Sequence, residues 1–396
     1  MNISPKDAKR DYWLIRLYYL IWLGGGGFLF PYISLFYKQQ GLSGTEMGLL
    51  SAVGWTVALA VAPFMGRLGD NLRNPRRLIQ VGLLGAAALY LWLSQQTAFL
   101  WMALIIGVDS LINSASDPLS TSQALAISKG DKTGFGSVRV WGSIGWVFMT
   151  PLCGWLIERT GLFSMFEGFA LMSVLSVVVL QFMVTNPPPH KASDAPQLAL
   201  RSVLQHLSRD RSMVGLAAAL LIFWLAGYGA SQFETIYLNQ LGASTAIIGV
   251  VNTIGAVIEI GGMFWADRLV RRYGSGRVLA VSMLIYAAGK LIVLLAPSVA
   301  AIFVMRALSG VYYSLYVVSS IAYTAEGSPA GQGSTVMALY FVTLQGLTQL
   351  VAGPLGGAGF DAFGAYWLFA IAVGGGLLSW IILSLTGRSR SPAVPA

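Results

Sequence analysis

Twelve stretches of mostly apolar residues follow one another along the chain, separated by short polar or charged turns. Each is near the ~20 residues an α-helix needs to cross a bilayer. They fall at roughly 12–37, 45–66, 77–95, 98–124, 136–157 and 162–185, then at 213–238, 245–266, 277–297, 299–322, 333–355 and 364–387. The longest polar stretch lies between the sixth and seventh spans. It holds Pro187, Pro188 and Pro189 and several charges, and reads as a linker with a surface helix near 197–208. The chain then divides into a six-helix bundle over 1–186, a linker over 187–212 and a second six-helix bundle over 213–396. The first span is long and lacks a small-residue cleavage site, so it is expected to be a retained helix and not a signal peptide.

Composition agrees with the pattern. Of 396 residues, 56% are hydrophobic and 10% charged, against about 25% charged in soluble domains. The fold class expected is an all-α membrane protein. The net charge of +9 does not point to nucleic acid, because of where the charges lie. With the N-terminus inside, 19 basic residues fall in inner loops and tails, and only Lys38 and Arg159 fall outside. This positive-inside bias puts both termini in the cytoplasm and the basic loops against anionic lipid. The single Cys153 lies in an apolar run, which leaves no disulfide framework and no metal cluster. No nucleophile–base set or soluble domain appears, so an enzyme is not expected, and no cofactor is implied.

The two halves repeat. After the second span comes Gly66-Arg67-Leu68-Gly69-Asp70-Asn71, then Arg73, Arg76 and Arg77; after the eighth comes Asp267-Arg268, then Arg271 and Arg272. Two six-helix halves related along the membrane normal place a solute site between them. Gly66-x-x-x-Asp70 resembles the signature loop of the major facilitator superfamily. The second copy departs from it, with one residue more between Gly262 and Asp267. An acid there, facing a helix N-terminus and basic neighbours, serves as a conformational latch. Gly66, Asp70, Arg73, Asp267 and Arg268 are its candidates. A solvated charged turn is the plainer alternative.

Charges at membrane depth are costly, so they mark function or pair structurally. They are Asp109 and Asp117 on the fourth span, Arg139 on the fifth, Glu234 on the seventh, Glu259 on the eighth, Lys290 on the ninth and Arg306 on the tenth. His190 and His206 both lie in the linker, so proton coupling falls to the carboxylates Glu259, Asp117, Asp109 and Glu234. Asp109, Asn113 and Asp117 follow at steps of four along one face, and Pro118 frees the Ser114 carbonyl and permits a bend. Asn252 and Glu259 share a face seven residues apart. Glu234 lies near the outer end of its span, where it is expected to be wet. Polar and aromatic stripes turn inward because an unpaired hydroxyl or amide is costly in hydrocarbon. They run through Trp224, Tyr228, Ser231 and Thr235, with Gln232 beside them, through Ser309, Tyr312, Tyr313 and Tyr316, and through Gln345 and Gln349. Gly24–Gly27 follows no strand and reads as a close-packing or bending device, not a nucleotide loop.

The stretch Phe135-Gly136-Ser137-Val138-Arg139-Val140-Trp141-Gly142-Ser143-Ile144-Gly145-Trp146 resembles the fifth helix of the oligosaccharide/proton symporters, the lactose permease group. It is also similar to the phenylpropionate permeases of the same superfamily. Phe28-Leu29-Phe30-Pro31-Tyr32 and the spacing from Arg272 to Lys290 to Arg306 extend the likeness along the chain. The resemblance implies the twelve-helix major facilitator fold, with two pseudo-symmetric bundles. It implies that Arg139 hydrogen-bonds the solute and that Trp146 stacks on it. Lys290 and Arg306 stand where the permease has cations, and Glu259 matches a glutamate of the phenylpropionate permeases. Thr121 stands where the group has its helix-4 carboxylate, so Asp117, one turn earlier, is the expected partner of Arg139. Ser309, Tyr312, Gly227 and Ala230 replace the permease's proton-coupling and acidic residues, so lactose specificity does not carry over.

The function expected is proton-coupled symport of a small hydroxylated solute, such as a sugar, glycoside or nucleoside, by alternating access. Arg139, Trp146, Asp117, Asn113, Tyr228, Gln232, Asn252, Lys290, Tyr312 and Gln345 are the candidate solute residues. Uptake of a small aromatic carboxylate held by Arg139 and Lys290 is the alternative, and an efflux antiporter is third. The expected partners are the solute, a proton or sodium ion, and lipid, with no nucleic acid. A monomer in a bacterial cytoplasmic (inner) membrane is expected.

Overall fold

The computed structural model describes residues 5–71, 74, 76–128, 134–184, 200–329 and 331–387. Every regular element among these is helical. Among the described residues, ten helical spans are long and apolar enough to cross a membrane. The last of them, 335–386, is two rods broken at Gly364, whose φ of 79° suits only glycine. Adding the 18-residue helix Arg76–Leu93 gives the twelve spans that the sequence predicts.

The chain forms two compact units. Unit 1 is Met1–Leu42, Val53–Ala192 and Ala243–Thr253; unit 2 is Ser43–Ala52, Ser193–Gly242 and Ile254–Ala396. Two helices, α3 (Gly44–Asn71) and α12 (Thr245–Tyr273), divide their lengths between the units.

In unit 1, the first span is broken into α1 (Pro5–Leu29) and α2 (Ile33–Gln39). Pro31 has no N–H to continue the helix, and the Tyr32 hydroxyl beside it donates to the Thr150 carbonyl at 2.7 Å. The glycine run does bring helices together: a Cβ on Gly27 would stand 2.7 Å from Thr150 Oγ1 on α7 (Gly134–Thr160). From the facing helix, a Cβ on Gly145 would meet the Leu20 carbonyl at 2.0 Å. The fourth span bends as Pro118 implies, into α5 (Phe99–Asn113) and α6 (Ser116–Ile127). The buried Asp11 accepts from the Val184 N–H, and Arg76 donates to the Met183 carbonyl. Together they fasten the chain that leaves α8 (Phe163–Gln181).

In unit 2, the amphipathic α9 (Leu200–Arg209) buries Val203 and Leu207 on one face, close to the surface helix expected there. The seventh span repeats the break of the first, as α10 (Arg211–Gln232) and α11 (Glu234–Gln240). Then come α13 (Ser275–Leu295), α14 (Val299–Gly327), α15 (Gly333–Ala338), a π-helical turn Leu339–Leu344, and α16 (Gln345–Thr386).

One motif recurs in both halves. Pro151-Leu152-Cys153-Gly154 on α7 is followed by Glu158; Pro354-Leu355-Gly356-Gly357 on α16 is followed by Asp361. Each acid sits seven residues after its proline and caps a helix. Asp361 accepts from the N–H groups of Gly44 at 2.6 Å and Thr45 at 2.8 Å, and from the Thr45 hydroxyl at 2.7 Å. Glu158 accepts from the Ala246 N–H at 3.0 Å, and the Thr245 hydroxyl donates to the Gly154 carbonyl at 2.8 Å. A carboxylate at a helix N-terminus pairs donors that the helix itself leaves open. Glycine lets the backbones meet: a Cβ on Gly48 would lie 2.1 Å from the Gly353 carbonyl, and one on Gly357 2.1 Å from that of Gly44.

Candidate functional site

Within unit 2 a cavity of about 770 Å³ is lined mainly by aromatic rings. Trp224, Tyr228 and Ser231 follow at steps of four and three on α10, so they share one face. Phe223 joins them at its edge. From α14 come Tyr312, Tyr313, Tyr316 and Ser320, and from α13 comes Tyr286. The π-helical turn supplies Phe341, and the next turns supply Gln345 and Gln349. Such widened turns recur at functional sites. The rings fix one another: Phe223 meets Tyr286 edge-on at 4.6 Å, and Tyr286 meets Tyr312 at 5.0 Å. Among the described residues, no charged side chain lines this cavity.

The charges stand apart, around Glu234. That carboxylate is 2% exposed, with Lys290 Nζ at 3.5 Å and the Arg306 guanidinium donating to its other oxygen. Lys290 is 6% exposed and lies over the rings of Phe369 and Tyr286, at 5.0 and 5.7 Å. Two cations, buried Lys290 and half-buried Arg306, therefore share one buried carboxylate. The expectation of a wet Glu234 is corrected: the break before α11 turns this residue inward. Lys290 is bound to Glu234 and is not on the cavity wall. Gln232 turns away from the wall as well, donating to the Met47 carbonyl at 3.1 Å and to Ser51 Oγ at 3.2 Å. Tyr228, Tyr312 and Gln345 do line the cavity. Half-buried Glu259 lies on α12, close enough for its charge, with those of Arg306 and Glu234, to act on Tyr312.

In unit 1 a second polar group forms. Asp117 and Arg139 act on each other electrostatically without a direct ion pair, and Tyr19 feels both charges. Beside them the Tyr18 and Ser120 hydroxyls are 2.8 Å apart. Asp109 accepts from Asn113 Nδ2 at 2.7 Å, and Asn113 accepts from the Ser116 hydroxyl at 3.2 Å. That acid is thus held by Asn113 of its own helix and also by the Tyr90 hydroxyl from the helix Arg76–Leu93. Trp146 is half-buried and its ring backs onto Gly26. Asn252 donates to the Ile248 carbonyl at 2.9 Å.

Of the latch candidates, Gly66 and Asp70 lie inside α3, not in a loop; the Asp70 side chain and Arg73 fall outside the described residues. Asp267 and Arg268 belong to the last turns of α12. Asp267 pairs with Arg271 one turn on, and Arg268 lies over Trp265 at 5.4 Å.

A profile of the MFS_1-like family matches residues 12–371. The chain belongs to that family. Maltose permease of Geobacillus stearothermophilus is 26% identical over 94% of each chain. The "Probable 3-phenylpropionic acid transporter" of Escherichia coli strain K12 is 26% identical over 68% of this chain and 70% of its own. In fold, a mutant of the nucleoside transporter NupG superposes with a TM-score of 0.80, at 13% identity, over 96% of this chain and 100% of that one. This MFS_1-like protein is therefore an integral membrane transporter, not an enzyme.

Sequence reasoning missed Tyr286, Phe223 and Phe341 of the cavity. Phe223 has only apolar residues three and four places away, while Tyr286 and Phe341 each stand four residues before a candidate, Lys290 and Gln345, a spacing that could have pointed to them. The capping acids Glu158 and Asp361 were also missed, although the repeated Pro-Leu-x-Gly spacing carries them.

Proposed function

We propose that this MFS_1-like transporter moves a small uncharged, hydroxylated solute into the cell with a proton, by alternating access in a bacterial cytoplasmic membrane with both termini inside. A sugar, glycoside or nucleoside has this chemistry. The observation that carries the reading is the contrast inside unit 2. The cavity wall is neutral and aromatic, while Lys290 and Arg306, the cations a carboxylate would need there, are held by Glu234. The similarity to a maltose permease supports the same class.

In unit 1, Arg139 and Asp117 are assigned to solute hydroxyls, the guanidinium fork and the acid each taking part of a diol. Asp117 repels a carboxylate, which again favours a neutral solute. Trp146 offers an indole face to a sugar ring. Glu259 is the assigned proton carrier, because it is a half-buried carboxylate in an apolar stretch of the spanning helix α12, whereas Glu234 is held by Lys290 and Arg306. The charged last turns of α12, with the Asp267–Arg271 pair, and the matching stretch around Asp70 are assigned as latches.

Uptake into vesicles reconstituted with the purified protein tests the reading. Labelled maltose, adenosine and 3-phenylpropionate are compared, with Arg139→Ala alongside. We expect uptake of at least one neutral solute and little of the carboxylate. Arg139→Ala is expected to lower uptake at least tenfold while the protein still folds, because losing a charge-assisted contact costs about 1.5–3 kcal/mol. Uptake of 3-phenylpropionate alone would overturn the proposal in favour of the aromatic carboxylate, a reading that the second relative's name favours.

A further inference from the structure

Two residues that line the unit 2 cavity each carry a buried side-chain oxygen with no partner. The Tyr286 hydroxyl is one, on a residue 4% exposed; Gln349 Oε1 is the other, on a residue 9% exposed. Buried polar groups are almost always paired, and leaving one unpaired is costly. The two residues stand in a wall that is otherwise mostly apolar ring surface. Their chemistry is specific. The amide oxygen only accepts, so it needs an N–H or O–H; the phenol both donates and accepts.

The Tyr286 hydroxyl is also held in place. Its ring is wedged between Phe223 and Tyr312, with the Lys290 ammonium 5.7 Å from its centre. Its oxygen lies where a side chain on Gly227 would be: a Cβ there would stand 2.5 Å from it. Gly227 thus keeps this hydroxyl in position, and alanine would displace it.

We infer that the unit 2 cavity is a subsite for a planar heteroaromatic ring with polar atoms on one edge, such as a nucleobase, in which Tyr286 and Gln349 bind that edge and Gly227 sets its position. The inference rests on the proposed transport of a neutral solute and names the part of the solute this unit takes. A flat ring offers π-faces to the tyrosines, Trp224 and Phe341, and gathers its donors and acceptors at one edge. A pyranose carries hydroxyls all round its rim and would leave several of them against carbon here.

The test is titration of the purified, detergent-solubilised protein with adenosine, ribose and maltose, read by calorimetry and by tryptophan fluorescence. Tyr286→Phe removes one oxygen and keeps the packing, and Gln349→Leu removes the acceptor. Gly227→Ala displaces the hydroxyl. Melting temperatures check that each variant folds. We expect adenosine to bind at least tenfold tighter than ribose or maltose. Each variant is expected to weaken adenosine about 2- to 12-fold, the range for one neutral hydrogen bond, with ribose unchanged. Adenosine bound no tighter than ribose would overturn the inference. So would preferential adenosine binding indifferent to Tyr286→Phe and Gln349→Leu. Maltose or adenosine uptake in the vesicle assay under either result leaves the proposed transport standing; absence of uptake of every neutral solute defeats that proposal separately.

Discussion

Glu234 balances two cations with one buried carboxylate. Removing one partner of such a group strands the others, which costs more than the intact pairing contributes. Glu234→Gln is therefore expected to lower stability by about 3–5 kcal/mol. Adding Lys290→Met to it should restore part of the loss. Thermal unfolding in detergent checks both, and an unchanged melting temperature for Glu234→Gln would contradict the arrangement. At this scale the sequence was legible by cost: each charge stands out in an apolar run. The partnership was not legible, because it joins positions 56 and 72 residues apart. Tyr286 could have been found from its spacing to Lys290, but its surroundings could not. Its unpaired hydroxyl and its neighbours Phe223 and Tyr312 are set by the packing of three helices, and no local pattern encodes that. Arg139 and Asp117 were legible as neighbours, because the resemblance fixed one and the missing acid at Thr121 pointed to the other.

At the scale of elements, proline, glycine and a downstream acid set where helices start and meet. Asp361 pairs two backbone N–H groups and a hydroxyl at the start of α3. Asp361→Ala is expected to cost about 0.5–2 kcal/mol, toward the lower end because the contacts with Thr45 are exposed. Asp361→Asn should cost less, since asparagine also caps. Thermal melts of the two variants decide it: equal melting temperatures for wild type and Asp361→Ala would mean the cap contributes nothing. The helices themselves were legible because apolar runs of spanning length permit nothing else in a bilayer. The bend after Asn113 was legible too, from Pro118. The break before Glu234 was not, since no proline marks it, and that is why this residue was expected at a wet end. The charged turn after the eighth span is helical, forming the last turns of α12, where Asp267 and Arg271 pair at the four-residue helical spacing.

At the scale of the whole molecule, the chain is a twelve-span major facilitator transporter. Ten spans emerge directly, one more is the helix Arg76–Leu93, and the last is doubled by the break at Gly364. The central claim is that this transporter couples a neutral solute to a proton through Glu259. The most direct measurement is solute accumulation in vesicles after a pH step, acid outside, with wild type and Glu259→Gln compared in the same preparation. With wild type, a neutral labelled solute is expected to rise above its outside concentration and to fall back when a protonophore collapses the gradient. With Glu259→Gln, exchange of solute across the membrane without accumulation is expected. Accumulation by Glu259→Gln equal to wild type, or wild-type accumulation that ignores the pH step, would contradict that claim.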